Sequence, residues 1–267
     1  MPLWYAVLLG IVQGLTEFLP ISSTAHLRVL PALIGQPDPG AAYTAVIQLG
    51  TLAAVIWYFR SDILKMARGL LIQRGGPEAR LALQVVLGTI PIGVVGLAFK
   101  DYIVGPLRSL WVISATLILV GLLMGVADRL GRRKLGAHDL SWGQALLVGV
   151  AQACAVMPGV SRSGSTMTAA LALGMKREEA ARFSFLLSIP AIGAAGVFEM
   201  KDAIHELGSS ALPALAVGTG VSFVVGYASI VWLLRFLGTR SMTPFVIYRV
   251  ALGLLLLALV GGGVLQP

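Results

Sequence analysis

The stretch QGLTEFLPISSTAHLR, residues 13–28, sets a carboxylate, three consecutive hydroxyl residues, a histidine and an arginine around a single proline. The chain around it is 57% hydrophobic and only 12% charged over 267 residues, with a mean hydropathy of +0.87. That balance lies far from the soluble range and places the chain among polytopic membrane proteins. Apolar runs long enough to cross roughly 30 Å of hydrocarbon recur at about 41–59, 82–99, 109–128, 179–198, 211–234 and 244–264. The expected fold is therefore an all-α integral membrane protein with six full transmembrane helices. Residues 1–12 lack the basic segment of a secretory signal and are read as mature protein.

The formal charge of +8 does not point to nucleic acid, because the basic residues sort by loop. Arg60, Lys65, Arg68, Arg74 and Arg80 fall in one connection; Arg129, Arg132, Arg133 and Lys134 fall in a second. Lys176, Arg177, Arg182, Arg235 and Arg240 fall in two more on the same side, and Lys100, Arg108 and Lys201 lie opposite. The richer side faces the cytoplasm, which puts both termini outside. SDILKMARGLLIQR, residues 61–74, reads equally as an interfacial helix or a solvated loop. Cys154 precludes an internal disulfide and is expected to be a buried packing residue.

Sliding the chain against itself brings several features together at an offset of 139. Gly10 meets Gly149, Gln13 meets Gln152, Ser22 meets Ser161, and Ala41-Ala42 meets Ala180-Ala181. The coincidences predict two units, about 1–128 and 140–267, within one membrane domain. Each holds a short polar-tipped segment followed by three crossings, so the second unit is inverted relative to the first. The short apolar segments 3–18 and 143–156 each run into a turn, FLPISST and VMPGVSRSGST, and a second short piece follows at 25–34 and 165–174. This pattern predicts two re-entrant helix hairpins, one from each face. Irregular backbone at membrane depth needs protein or water around it, so their tips are expected to line one polar cavity.

Glu17 is an acid inside an apolar element, which costs about 2.5–3.5 kcal/mol at a helix centre and marks it as functional. Gln13 lies one turn before it and completes a hard-oxygen pair for a Mg2+ or Ca2+ ion. Ser22, Ser23 and Thr24 sit where a helix restarts, both as caps and as an anion site at its N-terminus. His26 shares a face with Ser23, the minimum for an activated nucleophile. Arg162 in the second tip suits bidentate phosphate binding, with capping of the broken helix's carbonyls as its structural alternative. Ser161 and Ser163 flank it, while Gly159 and Gly164 permit close backbone approach. Gln48 reads as a helix–helix hydrogen bond or a substrate contact. Arg28 and Arg249 are read as cations that snorkel to a face ahead of pairing with a site carboxylate, and Pro91 and Pro190 as kinks.

With QGLTEFLPISSTAH at 13–26, PGVSRSG at 158–164, AVIQLGTLAAV and FSFLLSIPA, the chain resembles the undecaprenyl-diphosphate phosphatase family of bacitracin-resistance type over nearly its full length. The resemblance implies a diphosphate hydrolase acting on a C55 polyprenyl carrier at the outer face of the bacterial cytoplasmic membrane, with a divalent cation. It places the family's glutamate-rich motif on Gln13 and Glu17, its serine-histidine motif on Ser22, Ser23 and His26, and its arginine on Arg162. The first position, often Glu in relatives, is Gln here, which leaves one carboxylate. The expected chemistry is attack by Ser23 with His26 as base, or by His26 with Ser23 as helper. The competing reading is a transporter or flippase of a phosphorylated lipid. Abundant small residues suit either close packing within one chain or a homodimer.

Overall fold

The computed structural model describes residues 1–99, 106–207 and 211–266; Lys100 lies outside them. Among these residues the regular structure is helical, apart from one isolated bridge between Leu135 and Met175. In chain order the helices are α1 (Leu3–Phe18), α2 (Ser23–Leu33), α3 (Gly40–Tyr58), α4 (Arg60–Arg68), α5 (Gly76–Ala98) and α6 (Leu110–Leu130). There follow α7 (Trp142–Ala153), α8 (Arg162–Ala172), α9 (Arg177–Leu207), α10 (Leu212–Thr239) and α11 (Thr243–Gly261). Helices α3, α5, α6, α10 and α11 are long and apolar enough to cross a membrane. The sixth expected crossing, 179–198, falls within the 31-residue α9. The chain is thus an all-α, multi-pass membrane protein.

Both expected breaks are present. Leu19 and Met157 each precede a proline and adopt extended backbone, at φ −64°, ψ 139° and φ −76°, ψ 121°, which stops the helix before them. Each chain then restarts through a serine cap in an uncommon conformation: Ser22 at φ 76°, ψ 100° and Ser161 at φ 70°, ψ 119°. The Ser22 hydroxyl accepts from the Ala25 amide at 3.4 Å, and the Ser161 hydroxyl from the Gly164 amide at 3.1 Å. Both partners obey the 139-residue offset. A non-glycine residue at positive φ costs on the order of 1–3 kcal/mol, so these two equivalent instances mark backbone held in place by its surroundings.

Packing follows the same correspondence. Helix α1 packs on α10, and α7 on α5. A Cβ on Gly10 would meet the Gly218 oxygen at 2.6 Å; one on Gly149 would meet the Gly88 Cα at 2.6 Å. Gly218 and Gly88 in turn approach the carbonyls of Ala6 and Ala145, again 139 apart. Helix α3 runs antiparallel to α9, since Gly196 lies against Leu49 and Gly193 against Leu52. Helix α6 runs antiparallel to α11, with Gly125 against Val246 and Gly253 against Ile118. Beneath the breaks Phe18, Phe59 and Phe185 form an edge-to-face cluster, with Phe18–Phe185 centroids at 5.1 Å.

Several expectations change. Residues 61–74, left open between helix and loop, are helical through α4 and a following π-turn at Gly69–Gln73. Cys154 is exposed, because the turn after α7 points it outward with Sγ 3.7 Å from the Val150 oxygen. Arg28 pairs with Asp38 at 3.7 Å, beside Arg108 at 3.2 Å, instead of snorkelling alone. Asp128, which the sequence reading did not single out, is buried at the end of α6. It takes Arg177 Nε at 2.5 Å and Nη2 at 3.1 Å, and the Met242 amide at 3.1 Å, tying α6, α9 and α11 together.

The glycine crossings give a differential prediction. Gly10→Ala and Gly149→Ala push backbone against backbone and lower stability by about 1–3 kcal/mol. Gly93→Ala, where a Cβ meets open space, leaves the melting temperature in detergent unchanged. Equal melting of all three variants would remove the close-crossing argument.

Candidate active site

The two breaks meet. Ser163 in the second donates from Oγ to the Leu19 carbonyl in the first at 3.1 Å. Between them lies a cavity of about 160 Å³, whose polar wall is Glu17, Ser22, Ser23, Thr24, Gln48, Ser161 and Arg162. The opposite wall is apolar: Ile92 from α5, Ala155 from the turn after α7, and Ala191, Ile192 and Ala195 from α9.

Glu17 is the hub. Its Oε2 accepts from Gln13 Nε2 at 2.8 Å and from Ser23 Oγ at 2.9 Å. Its Oε1 accepts from Gln48 Nε2 at 3.1 Å and is ion-paired with Arg162 Nη2. Four donors around one carboxylate, only 6% exposed, answer the cost of burying it. The i, i+4 spacing on α1 brings Gln13 over Glu17. Arg162 reaches the same carboxylate from the first residue of α8, across 145 positions of chain. Gln48 bonds across helices to Glu17, as one of its two readings had it, and it also lines the cavity.

His26 departs from expectation. It does not line the cavity and makes no bond to Ser23. Its Nδ1 lies 2.7 Å from the Ser22 carbonyl and its Nε2 2.6 Å from the Tyr248 hydroxyl, with the two rings stacked at 5.6 Å. A carbonyl only accepts, so Nδ1 carries a proton, and Nε2 is engaged by the Tyr248 hydroxyl. His26 and Ser23 both lie on α2, after the break, but their side chains diverge. Ser23 turns back toward α1, and His26 toward α11. Ser163 and Gly164 lie behind the cavity wall, Ser163 also 3.1 Å from Ser161 Oγ.

The arrangement of donors bears on the Mg2+ or Ca2+ expected at Glu17 and Gln13. Among the described residues no group of three or more His, Cys, Asp or Glu side chains converges. Both Glu17 oxygens already receive two donors each, Gln13 presents its amide nitrogen, and a guanidinium is in contact. As arranged, these residues do not fit a protein-held divalent ion, which needs free oxygen lone pairs.

The residue that sequence reading misplaced is Arg249. Expected to snorkel, it is fully buried. It donates to the backbone carbonyls of Leu117, Pro20, Thr116, Gly159 and Val160 at 2.9–3.3 Å. The carbonyl-capping role considered for Arg162 belongs to Arg249. Its place inside the apolar run 244–264, more than one helical turn from the start, was the available signal.

Comparison with known proteins fits this geometry. Residues 6–255 match the family described as bacitracin resistance protein BacA. A protein of Myxococcus xanthus strain DK1622 named undecaprenyl-diphosphatase is 53% identical over 100% of this chain and 92% of its own length. One of the same name from Nocardioides sp. strain JS614 is 52% identical, covering 97% of each chain. A third, from Thermobifida fusca strain YX, is 48% identical over 98% of this chain and 91% of its own. With its crossed helix breaks, buried carboxylate and near-complete alignment to these relatives, the chain belongs to the bacitracin resistance protein BacA family.

Proposed function

We propose that this chain hydrolyses undecaprenyl diphosphate to undecaprenyl phosphate and inorganic phosphate, with the chemistry at the junction of the two breaks. The observation that carries the reading is one carboxylate holding the Ser23 hydroxyl on one oxygen and Arg162 on the other, inside a cavity with an apolar far wall. The diphosphate takes Arg162 from Glu17 as a bidentate partner, and the α2 and α8 N-termini at the cavity wall face the remaining oxygens. Ser23 Oγ attacks the terminal phosphorus while Glu17, 2.9 Å away, takes its proton. The bridging P–O bond breaks, and Glu17 passes the proton to the departing lipid phosphate. Water then attacks the phosphoserine, Glu17 takes a proton from it and returns it to Ser23, and inorganic phosphate leaves. Most of the rate enhancement comes from electrostatic stabilisation of the phosphoryl oxygens by Arg162 and the helix ends. The position of Ser23 against Glu17 favours this base over His26, whose two nitrogens are engaged elsewhere.

The reading extends to topology. The pairs α1–α2 and α7–α8 are re-entrant hairpins, units 1–128 and 140–267 are inverted repeats, both termini lie outside, and the cavity opens to the outer face of the cytoplasmic membrane. The repeated serine caps, the matched glycine crossings and the antiparallel pairing of α3 with α9 and of α6 with α11 support the inversion. The loop charges support the orientation. Transport without hydrolysis is less well supported, since it gives no reason to hold an alcohol against a carboxylate.

In detergent with polyprenyl diphosphate, the protein releases phosphate with no second compartment present; a carrier would release none. Ser23→Ala abolishes that release, by about 10³-fold or more, while lipid binding persists. Substantial residual turnover would reject the serine nucleophile. Arg162→Lys loses about 10²-fold because a point charge replaces a planar fork, and near-normal kinetics would remove the bidentate argument. Titration calorimetry of the lipid-free protein with Mg2+ or Ca2+ gives no stoichiometric binding; a micromolar site would restore protein-held metal at Glu17.

A further inference from the structure

We propose that the adjacent residues Tyr248 and Arg249 of α11 form a positioning clamp that sets Ser23 against Arg162, an inference that rests on the hydrolytic reading above. Neither residue lines the cavity. Arg249 grips both breaks at once. Nη1 holds the Pro20 carbonyl at 3.1 Å, and Nη2 holds Gly159 at 2.9 Å and Val160 at 3.1 Å. Nε and Nη2 are anchored on the Leu117 and Thr116 carbonyls of α6 at 3.3 Å each. The guanidinium is planar and rigid, so these five bonds fix the separation of Pro20 from Gly159. Ser23 lies three residues after Pro20, and Arg162 three residues after Gly159.

Tyr248 works on one side only. Its hydroxyl bonds His26 Nε2 at 2.6 Å, and His26 Nδ1 bonds the Ser22 carbonyl at 2.7 Å, immediately before Ser23. Ser22 holds positive φ without being glycine, and a ring locked on its carbonyl keeps it there. The second break has no such ring, because the counterpart of His26 at the 139-residue offset is Ser165, whose hydroxyl turns to the Arg162 carbonyl at 3.1 Å. The clamp is therefore asymmetric: Arg249 spaces the two breaks, and Tyr248 with His26 orients the one that carries the nucleophile. Space for Arg249 is kept by Gly164, where a Cβ would stand 3.2 Å from Nη1.

The test pairs kinetics with a readout of geometry. Arg249→Lys and Tyr248→Phe are purified in detergent, and kcat and KM for undecaprenyl diphosphate are measured per folded protein. In parallel, Thr24→Cys and Ala155→Cys, which line the cavity from opposite breaks, are introduced with Cys154→Ser and joined by a short dibromobimane linker. Positioning predicts that kcat falls about 100-fold for Arg249→Lys and about 10-fold for Tyr248→Phe, with KM within about threefold. It also predicts that cross-linking slows in both backgrounds. Wild-type kcat in a folded variant, a rise confined to KM, or unchanged cross-linking overturns the clamp. If Arg249→Lys does not fold, Tyr248→Phe decides. If the unsubstituted protein releases no phosphate, the hydrolytic reading falls, and the cross-linking rates still decide whether the clamp sets the breaks.

Discussion

Breaking a helix within an apolar bundle leaves carbonyl groups that lipid cannot satisfy, and two such breaks must be held against one another before any chemistry can be built on them. Arg249 meets that requirement with a single fully buried cation. Its own burial would be costly in isolation, yet five carbonyl oxygens surround it, and each of them gains a charged donor in return. Cation and breaks stabilise one another. The serine caps at Ser22 and Ser161, the meeting of Ser163 with Leu19, and the reach of Arg162 to Glu17 all presuppose that junction.

The two breaks share a backbone form, each restarting through a serine cap at positive φ, but they carry different side chains. At the 139-residue offset Ser23 corresponds to Arg162, and Glu17 to Val156. Gln13 bonds Glu17, whereas its counterpart Gln152 reaches the Gly88 carbonyl at 3.3 Å and leaves its own Oε1 without a partner. One break therefore carries acid and alcohol, the other the guanidinium. The correspondence that makes the backbones equivalent is what brings these unlike side chains face to face.

Much of this was legible in the sequence, because membrane burial writes strong periodic and compositional signals. The run 41–59 became Gly40–Tyr58 and 109–128 became Leu110–Leu130, and the prolines marked both breaks. Glu17, Ser23 and Arg162 were recognisable as polar groups where polar groups are costly. What was hidden depends on side-chain direction across the bundle. His26 and Ser23 are three residues apart on paper, but Ser23 is the first residue of α2 and turns back to α1. Cys154 looked like a core residue because its neighbours are apolar, yet apolar neighbours in a membrane protein also face lipid. Arg249 was visible as a deep cation, but its acceptors lie 89 to 229 positions away and are backbone atoms, which no side-chain pattern reveals.

The pairing of Glu17 with Arg162 also bears on what happens between turnovers. The Arg162 guanidinium is held by a counterion, and that counterion is a carboxylate that lines the same cavity. On the hydrolytic reading proposed above, an arriving diphosphate substitutes for the carboxylate, and as orthophosphate departs the carboxylate closes again on the cation. On that reading the resting protein competes with its own product for the same positive charge, which favours expulsion of phosphate and returns the chamber to near neutrality for the next lipid.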